Sequence, residues 1–221
     1  MNKLLVDEKM LTDTMEKVAG VFKTGMKIYL LGGSAMLMTQ DKDSTKDIDL
    51  VVENKADRRT FEDALKKVGF SPISLIPEEK THDTVVFFQN DIGLRFDIFV
   101  EKVANRLFYT EDMKLRAIEI LKTEKLTIYK TSDEDLFLLK AVSGRDRDMS
   151  DLSALFKKNL DWDVILSECR QQRKLTGRVW SVIMLETLND LEEQYKLRCK
   201  KRKGFERLAE EDLKAIIKRK R

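Results

Sequence analysis

The residues Lys27-Ile28-Tyr29-Leu30-Leu31-Gly32-Gly33-Ser34 and, after a gap of 12 residues, Asp47-Ile48-Asp49-Leu50-Val51-Val52 decide the fold of this chain and locate its chemistry. Lys27 to Leu31 is a short apolar strand ended by the glycine pair, and Ser34 to Thr39 resumes as a short helix. A polar loop over Gln40 to Lys46 leads into the second strand, rich in β-branched residues. Side chains alternate faces along a strand, so Asp47 and Asp49 point one way, about 7 Å apart, while Ile48 and Leu50 point into apolar packing. Two carboxylates on one face repel unless a cation lies between them. A hard divalent cation, Mg²⁺ or Mn²⁺, takes oxygen ligands and meets that need.

Working outward, Arg95-Phe96-Asp97-Ile98 repeats the alternation, with Asp97 on the polar side. If this strand lies beside the first, Asp97 completes a three-carboxylate site, which can hold two metals about 3.5–4 Å apart. The glycine turn supplies a second half. Gly32 and Gly33 let the backbone approach a ligand, and Ser34 offers an N–H and a hydroxyl at the start of a helix, where phosphate oxygens are favoured. Phosphoryl transfer needs mainly positioning and charge neutralisation, which such an arrangement provides. Taken singly, a Gly-Gly-Ser turn or an Asp-x-Asp is more often structural; their order and spacing carry the reading. Aspartate-nucleophile phosphatases also use Asp-x-Asp, but there an apolar strand precedes the aspartates, whereas here Lys46 and a polar loop do. A glycosyltransferase Asp-x-Asp would leave the glycine turn unexplained.

The stretch Leu31 to Val51 resembles the signature of the DNA polymerase β-like nucleotidyltransferase superfamily. It is most similar to the minimal prokaryotic branch that includes the AbiEii and MenT-type toxins of toxin–antitoxin systems. That resemblance implies that Gly32, Gly33 and Ser34 bind phosphate, that Asp47 and Asp49 hold metal, and that Asp97 contacts the catalytic metal and the acceptor hydroxyl. Ser132 to Leu136, Lys140 and Gly144 to Leu152 resemble that branch's second block. By the same resemblance Lys140 contacts the triphosphate, with Asp148 and Asp151 near the nucleotide; a set of salt bridges at helix starts is the plainer alternative for the charged cluster. The likeness spans residues 27 to 160, and beyond about residue 165 no family pattern is visible.

The expected fold is α+β: a nucleotidyltransferase-type mixed sheet with flanking helices over residues 1–131, then a C-terminal helical bundle over 132–221. Leu4 to Phe22 reads as a helix, and Asn54 caps another that Gly69 stops. Strands are expected at Ile73 to Ile76, Thr84 to Phe88 and Leu94 to Val100, with weaker ones at Met113 to Ile120 and Leu126 to Tyr129. Helices follow over Leu136–Val142, Met149–Phe156, Trp162–Gln171, Val179–Leu197 and Phe205–Lys218.

Composition sets the outer bounds. Hydrophobic residues make up 42% of the 221 positions and charged residues 37%, a globular and unusually charged chain. Cys169 and Cys199 are too few for a disulfide framework or zinc site, and read as reduced thiols of a cytoplasmic protein. No signal peptide or membrane span is apparent. His82, the single histidine, reads as a surface residue. The net charge of +3 divides into +8 from Lys196 onward and −5 before it, which suggests a polyanionic partner such as RNA near the C-terminus, or else a solvated helix face.

The sequence reading is thus an enzyme that moves NMP from an NTP to an acceptor hydroxyl, plausibly on RNA or a tRNA 3′ end, with an antitoxin protein as a further partner. The alternative is a module of the same fold that binds nucleotide or RNA without turnover and acts through a protein partner.

Overall fold

The computed structural model describes residues 4–73, 85–103 and 106–219. In chain order the elements are α1 (Glu8–Ala19), β1 (Met26–Leu30), α2 (Gly32–Leu37), β2 (Ile48–Val52), α3 (Lys55–Lys67), β3 (Ser71–Pro72), β4 (Val85–Gln89), β5 (Arg95–Val100), β6 (Lys102–Val103), β7 (Leu107–Phe108), α4 (Glu111–Arg116), β8 (Ile118–Lys122), β9 (Leu126–Lys130), α5 (Asp133–Ser143), α6 (Met149–Phe156), α7 (Trp162–Thr176), α8 (Trp180–Tyr195) and α9 (Arg202–Arg219). They divide into two compact units, Met1–Asn105 with Tyr109–Ser132, and Arg106–Phe108 with Asp133–Arg221.

The first unit is a mixed sheet in the order β3-β4-β5-β2-β1-β9-β8. Two parallel pairs, β2 with β5 and β1 with β9, are tied into an otherwise antiparallel array. One sheet face buries Ile48, Leu50, Phe96 and Ile98 completely. Phe61 of α3 packs there 5.9 Å from Phe96 and from Phe22, and Phe70 lies 5.1 Å from Phe96. This aromatic layer is the payoff of the alternation in β2 and β5: the apolar set goes to the helices, and the aspartates are left on the other face. Phe87 and Phe88 split between the faces for the same reason, Phe88 opposite Phe96 and Phe87 opposite Asp97.

Several boundaries shift for local reasons. The first helix begins at Glu8, because the Asp7 carboxylate caps it by accepting from Met10 N–H at 2.7 Å, and Val6 instead pairs with Thr45. The expected strand over Met113 to Ile120 is half helix. Thr110 caps α4 by accepting from Met113 N–H at 3.2 Å, and Glu111 and Asp112 fill the acidic first turn, so only Ile118 onward is extended. Of the strand expected over Ile73 to Ile76, Ile73 N–H bonds Phe87 C=O at 3.0 Å; the remainder, like His82, lies outside the described residues.

The second unit holds α5 to α9. Its aromatic cluster joins Phe137, Phe156, Trp162 and Phe205 at centroid distances of 5.0–6.3 Å. Asp212, almost fully buried, takes a bond from Ser181 Oγ at 3.1 Å and an ion pair from Arg173. Among the described residues no helix is long and apolar enough to cross a membrane.

Candidate active site

The site grows from the turn after β1. Gly32 adopts φ +52°, in the left-handed region, and opens α2 directly, so the helix starts two residues earlier than Ser34. A Cβ at Gly32 would lie 2.7 Å from Asp49 Oδ2. Glycine is therefore required twice, by conformation and by the carboxylate packed against it. A Cβ at Gly33 would collide with the Thr45 hydroxyl, and the Lys42 side chain passes at 3.9 Å. The short loop before β2 is thus pressed onto the turn, which explains why both glycines stand together.

Ser34 is completely buried. Its hydroxyl donates to Leu31 C=O at 3.0 Å, lies 3.3 Å from Asp49 C=O, and accepts Asp49 N–H at 2.9 Å. The sequence reading offered this hydroxyl to a phosphate. Its bonds are internal, and they pin the backbone of Asp49. The first-turn backbone N–H groups of α2 have no intrahelical acceptor.

Asp49 and Asp97 are register partners across the parallel pair β2–β5, the adjacency on which the three-carboxylate reading depended. Asp47 sits one residue ahead of β2. Arg95, two residues before Asp97 on the same strand face, joins them. Its guanidinium makes a two-pronged bond to Asp97, Nε to Oδ1 at 2.7 Å and NH2 to Oδ2 at 2.9 Å, and Nε reaches Asp47 Oδ1 at 3.1 Å. The Arg95 guanidinium lies over the Phe87 ring, 5.5 Å from its centroid. Burial alone would weaken the charged form of Arg95, but the bonds to Asp97 and the charges of Asp97, Asp47 and Asp49 outweigh it and push its pKa up. Arg95 was quoted in the sequence pattern without a role; its i, i+2 spacing to Asp97 is the signal that could have assigned one.

Do these residues fit a divalent metal? Among the described residues, no three His, Cys, Asp or Glu side chains converge into a ready ligand shell. The donor chemistry nevertheless fits: hard carboxylate oxygens on neighbouring strands, already gathered around a cationic group. A guanidinium fills the neutralising role that the sequence reading gave to a metal.

On the same sheet face as Asp49 lies an aromatic patch that the sequence reading overlooked. Tyr29 stacks on Tyr129 at 5.2 Å and lies 5.4 Å from Tyr109. Its phenol donates to Glu53 at 3.2 Å, and burial together with the Glu53 charge pushes its pKa well up.

Lys140, Asp148 and Asp151 come together in the second unit. Lys140 Nζ lies 2.6 Å from Asp151 and 3.4 Å from Asp148, and Ser143 Oγ donates to Asp148 at 2.7 Å. Lys140 and Asp151 are both buried. This network by itself satisfies the buried ammonium; a nucleotide role for these three residues rests on the resemblance alone.

The comparisons agree with this architecture. The model of one family, described as nucleotidyltransferase of unknown function (DUF6036), matches residues 9–200, and the chain belongs to that family. No curated protein matches the chain. Among solved structures, ANT(2")-Ia in complex with adenylyl-2"-tobramycin is similar over 75% of this chain and 98% of that one, with 12% identity and a TM-score of 0.51. The lincosamide antibiotic adenylyltransferase LnuA, lincomycin-bound, has 14% identity and a TM-score of 0.49, over 71% of this chain and 100% of that one. At these identities the first likeness speaks for a shared fold and for nothing finer.

Proposed function

We propose that this nucleotidyltransferase-family protein transfers a nucleoside monophosphate from an NTP to an acceptor hydroxyl, using Asp47, Asp49 and Asp97 as its carboxylate site. The observation that carries the reading is the register pairing of Asp49 with Asp97, with the Gly32 turn packed against Asp49. Carboxylates held abreast beside a glycine-rich helix start suit a polyphosphate and its counter-ions.

In this reading the backbone N–H groups of Gly32, Gly33 and Ser34 cradle phosphate oxygens, and the Ser34 hydroxyl holds Asp49 in place. Mg²⁺ or Mn²⁺, held by Asp47, Asp49 and Asp97, would neutralise the triphosphate and acidify the attacking hydroxyl. Asp97 orients the acceptor, whose oxygen bonds the α-phosphorus as the bond to the β-phosphate breaks and pyrophosphate leaves.

RNA, including a tRNA 3′ end, is the acceptor class favoured by the +8 segment from Lys196 onward. Part of that charge is spent internally: Arg198 and Arg202 pair with Glu192, Lys201 with Asp163, and Lys214 with Glu210. Lys200, Lys203 and Arg207 are exposed and outside these pairs. A toxin role with an antitoxin partner rests on the sequence resemblance. A cytoplasmic location, where NTP is available, is part of the same proposal.

The test is incubation with each α-³²P-labelled NTP, Mg²⁺ or Mn²⁺ and total RNA, beside an Asp47→Ala/Asp49→Ala control. Label on RNA, lost in the control, supports the proposal and names the base; label on the protein itself moves the acceptor to a protein hydroxyl. Nucleotide binding without label under any condition would replace it with a binding module.

A further inference from the structure

Arg95 is anchored more completely than a surface counter-ion needs to be. Both Asp97 oxygens accept from it, an Asp47 oxygen lies 3.1 Å from its Nε as an ion pair, and the Phe87 ring lies against its guanidinium. The oxygens it occupies are the ones that the proposed function assigns to a divalent cation. A guanidinium fork takes one lone pair on each oxygen of Asp97 and sets a positive charge beside the pairs that are left, which opposes a metal at that residue. The two cations therefore compete for the same ligands.

Resting on the proposed function, we infer that Arg95 is an exchangeable counter-ion: metal entry displaces its guanidinium from Asp97 and Asp47, and the released arginine then binds the triphosphate of the incoming nucleotide. Three features support the exchange. Arg95 stands at the first residue of β5, beside the site and not beneath it, and about a third of its side chain is exposed. Its stem is long enough to swing while the carboxylates stay fixed on the ends of β2 and β5. Phe87, directly opposite Asp97 on β4, gives the guanidinium an aromatic surface on which to pivot without losing its packing. The displaced fork has the planar donors that suit phosphate oxygens.

The exchange couples two ligands. Metal alone must expel Arg95 with nothing to receive it, so metal binds weakly. With nucleotide present, the arginine gains a phosphate partner and metal binds more tightly. Reciprocally, metal strengthens nucleotide binding by the same factor. The arginine acts twice in this scheme: it sets when the carboxylates become available, and once released it contacts the triphosphate.

Mn²⁺ binding to the full chain, read as loss of the free-ion EPR signal beyond the loss that the same solution shows without protein, tests this with and without a mixture of the four α,β-methylene NTP analogues. Wild type should bind Mn²⁺ more tightly with the analogues by a factor in the usual range of roughly 5–150. Arg95→Ala and Arg95→Gln should bind Mn²⁺ alone roughly tenfold more tightly than wild type, and should lose most of the enhancement by nucleotide. Arg95→Lys keeps the charge but cannot fork across both Asp97 oxygens, so it should fall between; it carries the test if the neutral variants fail to fold. Unchanged or weaker Mn²⁺ binding in folded neutral variants overturns the exchange and leaves Arg95 as a strut that orients the carboxylates. In that outcome wild type still binds Mn²⁺ with nucleotide, and the proposed function stands. No Mn²⁺ binding by wild type in either condition overturns both.

Discussion

Asp49 and Asp97 face one another in register across the parallel strands β2 and β5. Neighbouring strands are spaced about 4.8 Å apart, so the two carboxylates leave the same face at adjacent positions. The sheet backbone fixes that proximity, and neither side chain can relieve it by changing rotamer alone. The Arg95 guanidinium, forked onto Asp97, offsets part of the repulsion.

Asp49→Asn should therefore separate function from stability. Nucleotidyl transfer should fall at least about 100-fold, the scale for removal of one preorganised charged group. The melting temperature should change little, because the loss of repulsion from Asp97 is offset by the loss of attraction to Arg95. Calorimetry beside the labelled-NTP assay checks both. A marked fall in melting temperature would mean that Asp49 is chiefly structural.

Gly32→Ala should fail for two separable reasons. A positive φ of 52° costs a side-chain-bearing residue about 1–2 kcal/mol. The new methyl would also meet Asp49 Oδ2 at 2.7 Å. Adding Asp49→Ala should recover the steric part and leave the conformational part, a non-additivity that urea denaturation of the two single variants and the double variant would read.

Much of this was legible in the sequence, and the limits have physical causes. Alternation in Asp47-Ile48-Asp49 and Phe96-Asp97-Ile98 follows from strand geometry, so the face carrying the aspartates could be read before their neighbours were known. The resemblance of Leu31 to Val51 to nucleotidyltransferases agrees with the family model that matches residues 9–200. The role of Arg95 was hidden because it depends on Asp47, which reaches it only after β2 and β5 pair. The bond from Asp49 N–H to the Ser34 hydroxyl was not legible, because the two residues are 15 apart in sequence. The helix α4 was missed because Met113 and Leu115 alternate as in a strand and lead into the β-branched Ile118 and Ile120, and the stronger signal was the Thr110 cap with two acids after it. Lys140 meets acids 8 and 11 residues on, across a turn, where helical spacing gives no guidance.

Ser34→Ala should act through Asp49. It leaves the Asp49 N–H without its acceptor in a buried place, at a cost of about 1–3 kcal/mol. If the hydroxyl were instead a phosphate ligand, KM for NTP would rise with little change in stability. The expected pattern is the reverse: a lowered denaturation midpoint and a fall mainly in kcat.

The two thiols should respond differently to reagent and to pH. Burial pushes the Cys169 thiol up to about 12, with the Glu168 charge adding to it. Cys199, only partly buried, is raised as well, chiefly by burial. A thiol-specific disulfide reagent near neutral pH should label Cys199 in the native protein and both cysteines only after denaturation. Because the folded state holds the Cys169 proton more tightly, stability conferred by the neutral thiol is complete below the ordinary value near 9 and falls as pH rises from there towards 12. Chemical denaturation midpoints across that window should decline, and Cys169→Ala should flatten the decline.

Lys140 and Asp151 give a test of whether the second unit's buried charges are structural. Asp151→Asn leaves the ammonium with only Asp148 at 3.4 Å. Breaking a buried pair from one side typically costs about 3–5 kcal/mol, while replacing both partners with apolar residues of similar volume is often neutral or better. Asp151→Leu with Lys140→Met should therefore recover most of the stability that either single change loses. If the double variant folds normally and also keeps its affinity for NTP, the cluster is a packing device. If it folds normally and loses that affinity, the resemblance was right to give Lys140 to the nucleotide, and the ion pair is how the site stores the lysine's charge.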